Sequence, residues 1–329
     1  SVILASKMNK LSSVKLDTDK LNISDEVKHE KGYTNVALFG LDSRENDLGK
    51  GNRSDTIIIA SLNNDTKEVK LVSIYRDTLL ELDDGSYNKA NSAYSFGGPE
   101  GAVSLINRNL DMNIEKYVTV NFNALVDVID AVGGLDLELT HDEVVHMNNY
   151  CVETSKVTGK KYKKIEPAVA GTYKLNGVQA VSYARIRYTA GGDYKRTERQ
   201  RLVLKKTADK LKQQDLATLN KIIDKVMPEV STSFTTKEIL SLATGAFDYE
   251  LGETTGFPFD LETPEQIPGY SGSYVIPKGL EENVIKLHQF LYPNKDYTPT
   301  ATVTDISNTL NDMTNVYPNT TESGTSQNE

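Results

Sequence analysis

The chain has 329 residues, of which 38% are apolar and 25% charged, with a formal net charge of -9. That length suffices for one large domain or two ordinary ones with a real core, and an acidic balance with clustered arginine excludes a non-specific nucleic-acid binder, which needs a broad basic face. A single cysteine, Cys151, excludes an internal disulfide and a cysteine-based metal site, and it reads as a small packing residue.

No stretch reaches the roughly 20 apolar residues of a membrane span. Residues 1–31 are polar and weakly periodic and are expected to form a linker, following a membrane anchor if Val2–Ala5 is the tail of one. The core is expected over 32–294. Asn35–Phe39 reads as a buried strand ending in a tight turn at Gly40, and the polar loop GLDSRENDLGKGNR follows. Thr56–Leu62 is strongly β-branched, and Val69–Ile74 follows a turn at Asn63–Thr66, so the two predict a hairpin. Tyr75–Asp84 reads as a polar loop. A helix is expected from Pro99, with Ala102, Val103, Ile106 and Leu110 on one face.

Tyr117–Val120 predicts a strand, Asn123–Val132 a helix stopped by Gly133-Gly134, and Leu135–Leu139 a strand with one wet face. His141–Lys164 is polar and lysine-rich and reads as a surface excursion. Helices are expected at Leu175–Tyr183, Arg196–Leu211, Leu216–Val226, Lys237–Ala246 and Glu281–Leu291, with strands at Tyr249–Phe259 and Tyr274–Ile276. Residues 295–329 are rich in Thr, Asn and Ser and are expected to be a mobile polar tail. Alternating strands and helices predict an α/β sandwich whose mixed sheet is covered on both faces, with chemistry in loops at strand ends.

The residues able to do that chemistry are acidic and guanidinium groups. Asp42 and Asp55 flank a glycine-containing loop; they suit a magnesium ion, or they cap turns and pair with Arg44 and Arg53. Arg76 and Asp77 follow a strand and either reach a ligand or pair with each other. The stretch ARIRYTAGGDYKRTERQR places Arg185 and Arg187 two apart on one side of an extended segment. It places Arg196 and Gln200 four apart on one helix face, beyond the flexible Gly191-Gly192. Planar, bidentate guanidinium groups suit phosphate; the competing reading is a salt-bridged helix end. Other signatures are missing. There is no G-x-x-x-x-G-K-[ST] loop and no G-x-S-x-G elbow, and HDEVVH lacks the H-E-x-x-H order of a zinc protease.

Taken together, FGLDSR, RSDT, SIYRDT, NKANSAYSFGGPEGAV, VNFNALVDVIDAVGGLDLEL, LNGVQAVSYARIR and GDYKRTERQR, in this order over Tyr33–Lys206, resemble the LytR-CpsA-Psr family. The family attaches lipid-linked glycopolymers to bacterial cell wall. One departure is Tyr75, where the family usually has proline before Arg76. The resemblance implies an α-β-α sandwich forming a catalytic domain at 32–294, with a hydrophobic pocket for a polyprenyl tail. Val103, Leu105, Ile106, Val118, Phe122, Leu125, Val128 and Ile129 are candidates to line it, although periodicity alone makes them ordinary core.

It also implies that Asp42 and Asp55 bind magnesium, that Arg76, Arg185, Arg187 and Arg196 hold a pyrophosphate, and that Gln200 touches the headgroup. Arg44 and Arg53 are further substrate-binding candidates, and Asp42, Asp77 or a metal-bound water is a candidate base. The implied activity is magnesium-dependent transfer of a polyprenyl-pyrophosphate-linked glycopolymer, such as teichoic acid or capsule, to a peptidoglycan hydroxyl. The expected place is the cell surface, membrane-anchored and outside the cytoplasm, with no nucleic-acid partner. A pyrophosphate hydrolase and a non-catalytic lipid-binding or regulatory protein are the alternatives.

Overall fold

The computed structural model describes residues 12–27, 31–42, 47–188 and 192–319. Its strands, in chain order, are β1 (Ser12–Ser13), β2 (Tyr33–Leu41), β3 (Ser54–Asn63), β4 (Glu68–Ile74), β5 (Leu79–Glu81), β6 (Tyr87–Lys89), β7 (Lys116–Asn121), β8 (Leu135–Leu139), β9 (Gly171–Leu175), β10 (Val230–Thr232) and β11 (Glu250–Phe257), followed by a two-stranded pair at Leu261–Glu262 and Ile276–Pro277. Seven of them form the central mixed sheet in the order β1-β10-β7-β2-β3-β4-β11. The β-branched hairpin is present: β3 pairs antiparallel with β4, and β2 antiparallel with β3. β7 joins the sheet parallel to β2, which requires a crossover.

That crossover contains helix α1 (Ser92–Leu110). It begins earlier than the sequence predicts and is broken at Gly98, whose φ of 63° is open to glycine. Pro99 then opens its second part. With α1, the late helices at Leu280–Leu291 and Ala301–Thr314 cover one sheet face, packing on Phe39, Ile57, Ile59, Val72 and Ile74. The other face carries α2 (Phe122–Ala131), α3 (His141–Thr158), α4 (Gly177–Arg185) and α5 (Gly192–Lys212). Those helices share a second core with β8 and β9, built on Val126, Ile129, Leu137, Val144, Met147 and Val181. The result is the expected α-β-α sandwich.

Several expectations are corrected. Residues 295–319 are not simply a polar tail: Val303, Ile306 and Leu310, spaced three and four apart in Ala301–Thr314, are buried in the main core, and Thr300 caps that helix, while the rest of the expected tail, 320–329, lies outside the described residues. The lead-in also packs, since Leu16, Leu21 and Val27 are buried, the first two within the main core. His141–Lys164 is mostly helix α3, started by a capping box between Thr140 and Glu143. Its sparse apolar residues Val144, Met147 and Cys151 suffice to bury one face. Tyr75–Asp84 contains β5, and Gly40 lies inside β2, where a side chain would collide with Thr56.

Candidate active site

The acidic candidates are placed by the ends of β2 and β3. Leu41 pairs with Ser54 and Gly40 with Thr56, so Asp55 is the extra residue of a β-bulge. A bulge bends the strand and re-aims a side chain. Asp42, one residue beyond β2, and Asp55 line the same cleft of about 640 Å³. Arg53, Arg76, Asp77 and Arg187 line it too, together with Lys89 and Asn91. Arg76 and Asp77 arrive on the turn after β4, and Lys89 on the ribbon formed by β5 and β6. Arg44 lies outside the described residues.

The cleft is laced with ion pairs. Arg76 pairs with Asp55 at 2.5 Å and Lys89 with Asp77 at 3.3 Å. Arg187 lies 3.9 Å from Asp77 and 3.8 Å from Asp193. Arg185 lies 3.5 Å from Asp42 and donates to Thr154 at 3.0 Å. Arg196, 5% exposed, does not line the cleft surface; it pairs with Asp193 at 2.7 Å and reaches the backbone oxygen of Asp55 at 3.5 Å. Burial lowers its pKa from the ordinary arginine value, Asp193 opposes that, and Arg76 and Arg187 add to it. Among the described residues, the buried Nε atoms of Arg76 and Arg196 have no hydrogen-bond partner. Buried donors of this kind carry a cost unless something accepts from them, and an anion in the cleft is such an acceptor.

A second cavity, of about 200 Å³, lies between the sheet and helices α2, α4 and α5. Leu38 and Ile58 come from the sheet, Val181 and Ala184 from α4, and Val203 and Leu204 from α5. Of the residues expected to line an apolar pocket, Val118, Phe122 and Leu125 do so. Val103, Leu105 and Ile106 do not: they belong to the core on the opposite sheet face. Ile129 is buried in the helical core behind the cavity, and Val128 is half-buried outside its lining. Gln200 lines this apolar cavity rather than the charged cleft.

Arg185 joins the two spaces. It lines the cavity, its guanidinium stands 5.1 Å over the Phe122 ring, and its partner Asp42 lines the cleft. The structure thus brings Asp42, Arg53, Asp55, Arg76, Asp77, Arg185, Arg187 and Arg196 around one cleft and leaves Gln200 in the cavity. Sequence reasoning missed Lys89, Asn91 and Asp193 as members. The NKAN and GDYKR motifs carry them, but only the ribbon and the start of α5 turn them toward the arginines.

The comparisons with known proteins agree with this architecture. A family model described as LytR_cpsA_psr matches residues 2–251. The chain is 30% identical to the polyisoprenyl-teichoic acid–peptidoglycan teichoic acid transferase TagV of Bacillus subtilis, over 85% of this chain and 70% of that protein. It is 33% identical to biofilm regulatory protein A of Streptococcus mutans, over 64% of this chain and 52% of that protein. Among solved structures, a Streptococcus agalactiae protein superposes with a TM-score of 0.66 at 26% identity, covering 82% of this chain and 90% of that one. TagT, solved with octaprenyl pyrophosphate lipid bound, superposes with a TM-score of 0.60 at 21% identity, covering 85% of this chain and 98% of that one, and so shares the fold. With its motifs in order, its sandwich and the family model over most of its length, the chain belongs to the LytR_cpsA_psr family.

Proposed function

We propose that the chain is a phosphotransferase that moves a polyprenyl-pyrophosphate-linked glycopolymer onto a hydroxyl of peptidoglycan. One observation carries this reading: an apolar cavity and an arginine-rich cleft meet at Arg185. A lipid pyrophosphate has those two parts in that order, an apolar tail and a doubly charged headgroup. The similarity to TagV, a teichoic acid transferase by name, supports teichoic acid or a related wall polymer as the group moved.

In this reading the tail lies in the cavity against Val118, Phe122 and Leu125. Arg185 and Arg187 hold the pyrophosphate from one side, and Arg76 and Arg196 from the other. Their present carboxylate partners exchange for phosphate oxygens, so the cations are already placed when negative charge develops. Such preorganised donors contribute on the order of 3 kcal/mol each to the transition state.

The acceptor hydroxyl oxygen forms a bond to the polymer-side phosphorus. The bond from that phosphorus to the bridging oxygen breaks, and polyprenyl phosphate leaves with the electron pair. The hydroxyl proton passes to a carboxylate of the cleft, Asp77 or Asp42. Asp42 and Asp55 are a donor set that fits magnesium, which takes one or two carboxylates and completes its shell with water and phosphate oxygens. Among the described residues no group of three or more acidic, histidine or cysteine side chains is placed to hold a metal ion. Bound there, magnesium would neutralise phosphate charge.

The lipid-linked donor and the wall acceptor place this reaction outside the cytoplasm at the membrane surface. Among the described residues no helix is long and apolar enough to cross a membrane. The test is product analysis after incubation with a prenyl-pyrophosphate-linked sugar, magnesium and peptidoglycan oligomers. Sugar joined to glycan through phosphate, with release of prenyl phosphate, is the expected product. Free sugar phosphate alone would make the protein a hydrolase, and donor binding without turnover would make it a lipid-binding or regulatory protein.

A further inference from the structure

Helix α5 has a second occupied side. Arg196, Gln200 and Val203, at steps of four and three, face the charged cleft and the apolar cavity. Tyr194, Glu198 and Arg201, at the same steps two residues out of phase, lie on the opposite side of the helix. They line a separate cleft of about 700 Å³, with Tyr75, Thr254 and Thr255 across from them. The volume falls within the range of small-ligand sites, about 300–1,000 Å³.

This cleft and the charged one have no lining residue in common, but neighbours in the chain serve both. Tyr75 precedes Arg76, and Tyr194 follows Asp193; in each pair one residue belongs to each cleft or its ion pairs. The two tyrosines meet edge to face at 4.7 Å. Tyr75 is the residue that departs from the family's proline. It is accommodated by Gly256 on β11, where a Cβ would stand 2.1 Å from the Tyr75 hydroxyl. Arg201 is anchored to Ser73 at 2.9 Å and Thr254 at 3.2 Å, which fixes the base of the cleft. The lining combines aromatic faces, hydroxyls and charges of both signs, a chemistry that suits a sugar ring, which offers C–H faces for stacking and hydroxyls for hydrogen bonds.

Displacement at phosphorus is roughly in line, so the incoming oxygen enters opposite the leaving one. The leaving oxygen belongs to the prenyl phosphate, and its tail lies on the cavity side, at Arg185. The incoming hydroxyl therefore arrives from the side away from Arg185. We propose that the cleft between Tyr75, Tyr194 and Thr255 is the binding site for the acceptor glycan. This rests on the transferase reading, and it adds specificity-determining residues that the pyrophosphate-holding arginines do not include.

The test has two arms. In the first, lipid-free peptidoglycan oligosaccharides are titrated into the protein without any donor, by calorimetry, for the unaltered chain, Tyr194→Ala and Thr255→Trp. Melting temperatures are recorded to establish that each variant is folded. The inference expects binding by the unaltered chain and at least tenfold weaker binding by both variants. In the second arm, transfer kinetics are measured with a prenyl-pyrophosphate-linked sugar. The expected result is a raised KM for the glycan with an unchanged KM for the donor.

No glycan binding by the unaltered chain, or equal binding by two folded variants, overturns the inference even if transfer proceeds. A rise in donor KM alone would assign the cleft to the donor's own sugars and overturn it as well. Because the first arm contains no donor, failure of the transferase reading would show only in the second.

Discussion

Two buried arginines of α5 use the same chemistry to different ends. Arg196 and Arg199 lie three residues apart, are 5% and 2% exposed, and each meets a carboxylate at 2.7 Å. Arg199 pairs with Glu143 of α3 and also donates to the backbone oxygen of Ile186 at 3.2 Å. It thereby ties α5 to α3 and to the segment that carries Arg185 and Arg187. Arg196 pairs with Asp193 within its own first turn, and its Nε has no partner among the described residues. One guanidinium is used up by the fold, and the other retains a donor beside the cleft. Burial and charge alone do not distinguish a ligand-holding arginine from a structural one; the use of its remaining donors does.

The largest expected effect that would sharpen this contrast is on stability. Arg199→Ala leaves Glu143 buried without its cation, and breaking such a pair costs about 3–5 kcal/mol. Denaturant unfolding should register that loss, and an unchanged midpoint would break the contrast. Arg196→Ala is expected to do the reverse. Transfer should fall on the order of 10²–10³-fold, the usual consequence of deleting one preorganised donor, while the unfolding midpoint moves little. Turnover equal to the unaltered chain would remove Arg196 from the site.

The cavity side of the same helix offers a milder test. Leu125→Trp across from Val203 fills the cavity without touching the cleft, and donor KM should rise about tenfold, or 1.4 kcal/mol. Transfer from a donor with a shortened prenyl chain should suffer less.

The smallest effect is remote from both spaces. The Glu229 carboxyl is pushed up to about 7, first by burial and then by the neighbouring Asp127 carboxylate. The folded chain thus holds a proton that the unfolded chain releases, so this contribution is full below the ordinary value of 4.5 and is lost as pH rises through about 7. Melting temperature should fall less steeply between about pH 5 and pH 8 in Glu229→Gln, at unchanged transfer. An identical slope in both proteins would dismiss Glu229 as the source.

The amino-acid sequence by itself determined the mixed α/β alternation, the β3-β4 hairpin and most of the charged residues that line the cleft. Those features rest on local signals: β-branched runs, turn residues, and arginines and aspartates in motifs spaced around strand ends. It could not determine the cavity. Val118 and Val103 are equally apolar, and only the tertiary packing, of β7 in the sheet and of α1 on its opposite face, decides that one faces the cavity and the other the opposite core. Nor could it assign Gln200 to the apolar side, or separate Arg196 from Arg199, because both distinctions depend on what packs against α5. Residues 301–314 read as polar because three buried apolar side chains are few in a long polar stretch; the core they complete is assembled from distant segments. Periodicity states that a face will be buried. What buries it, and whether space remains there for a ligand, is set by the tertiary arrangement.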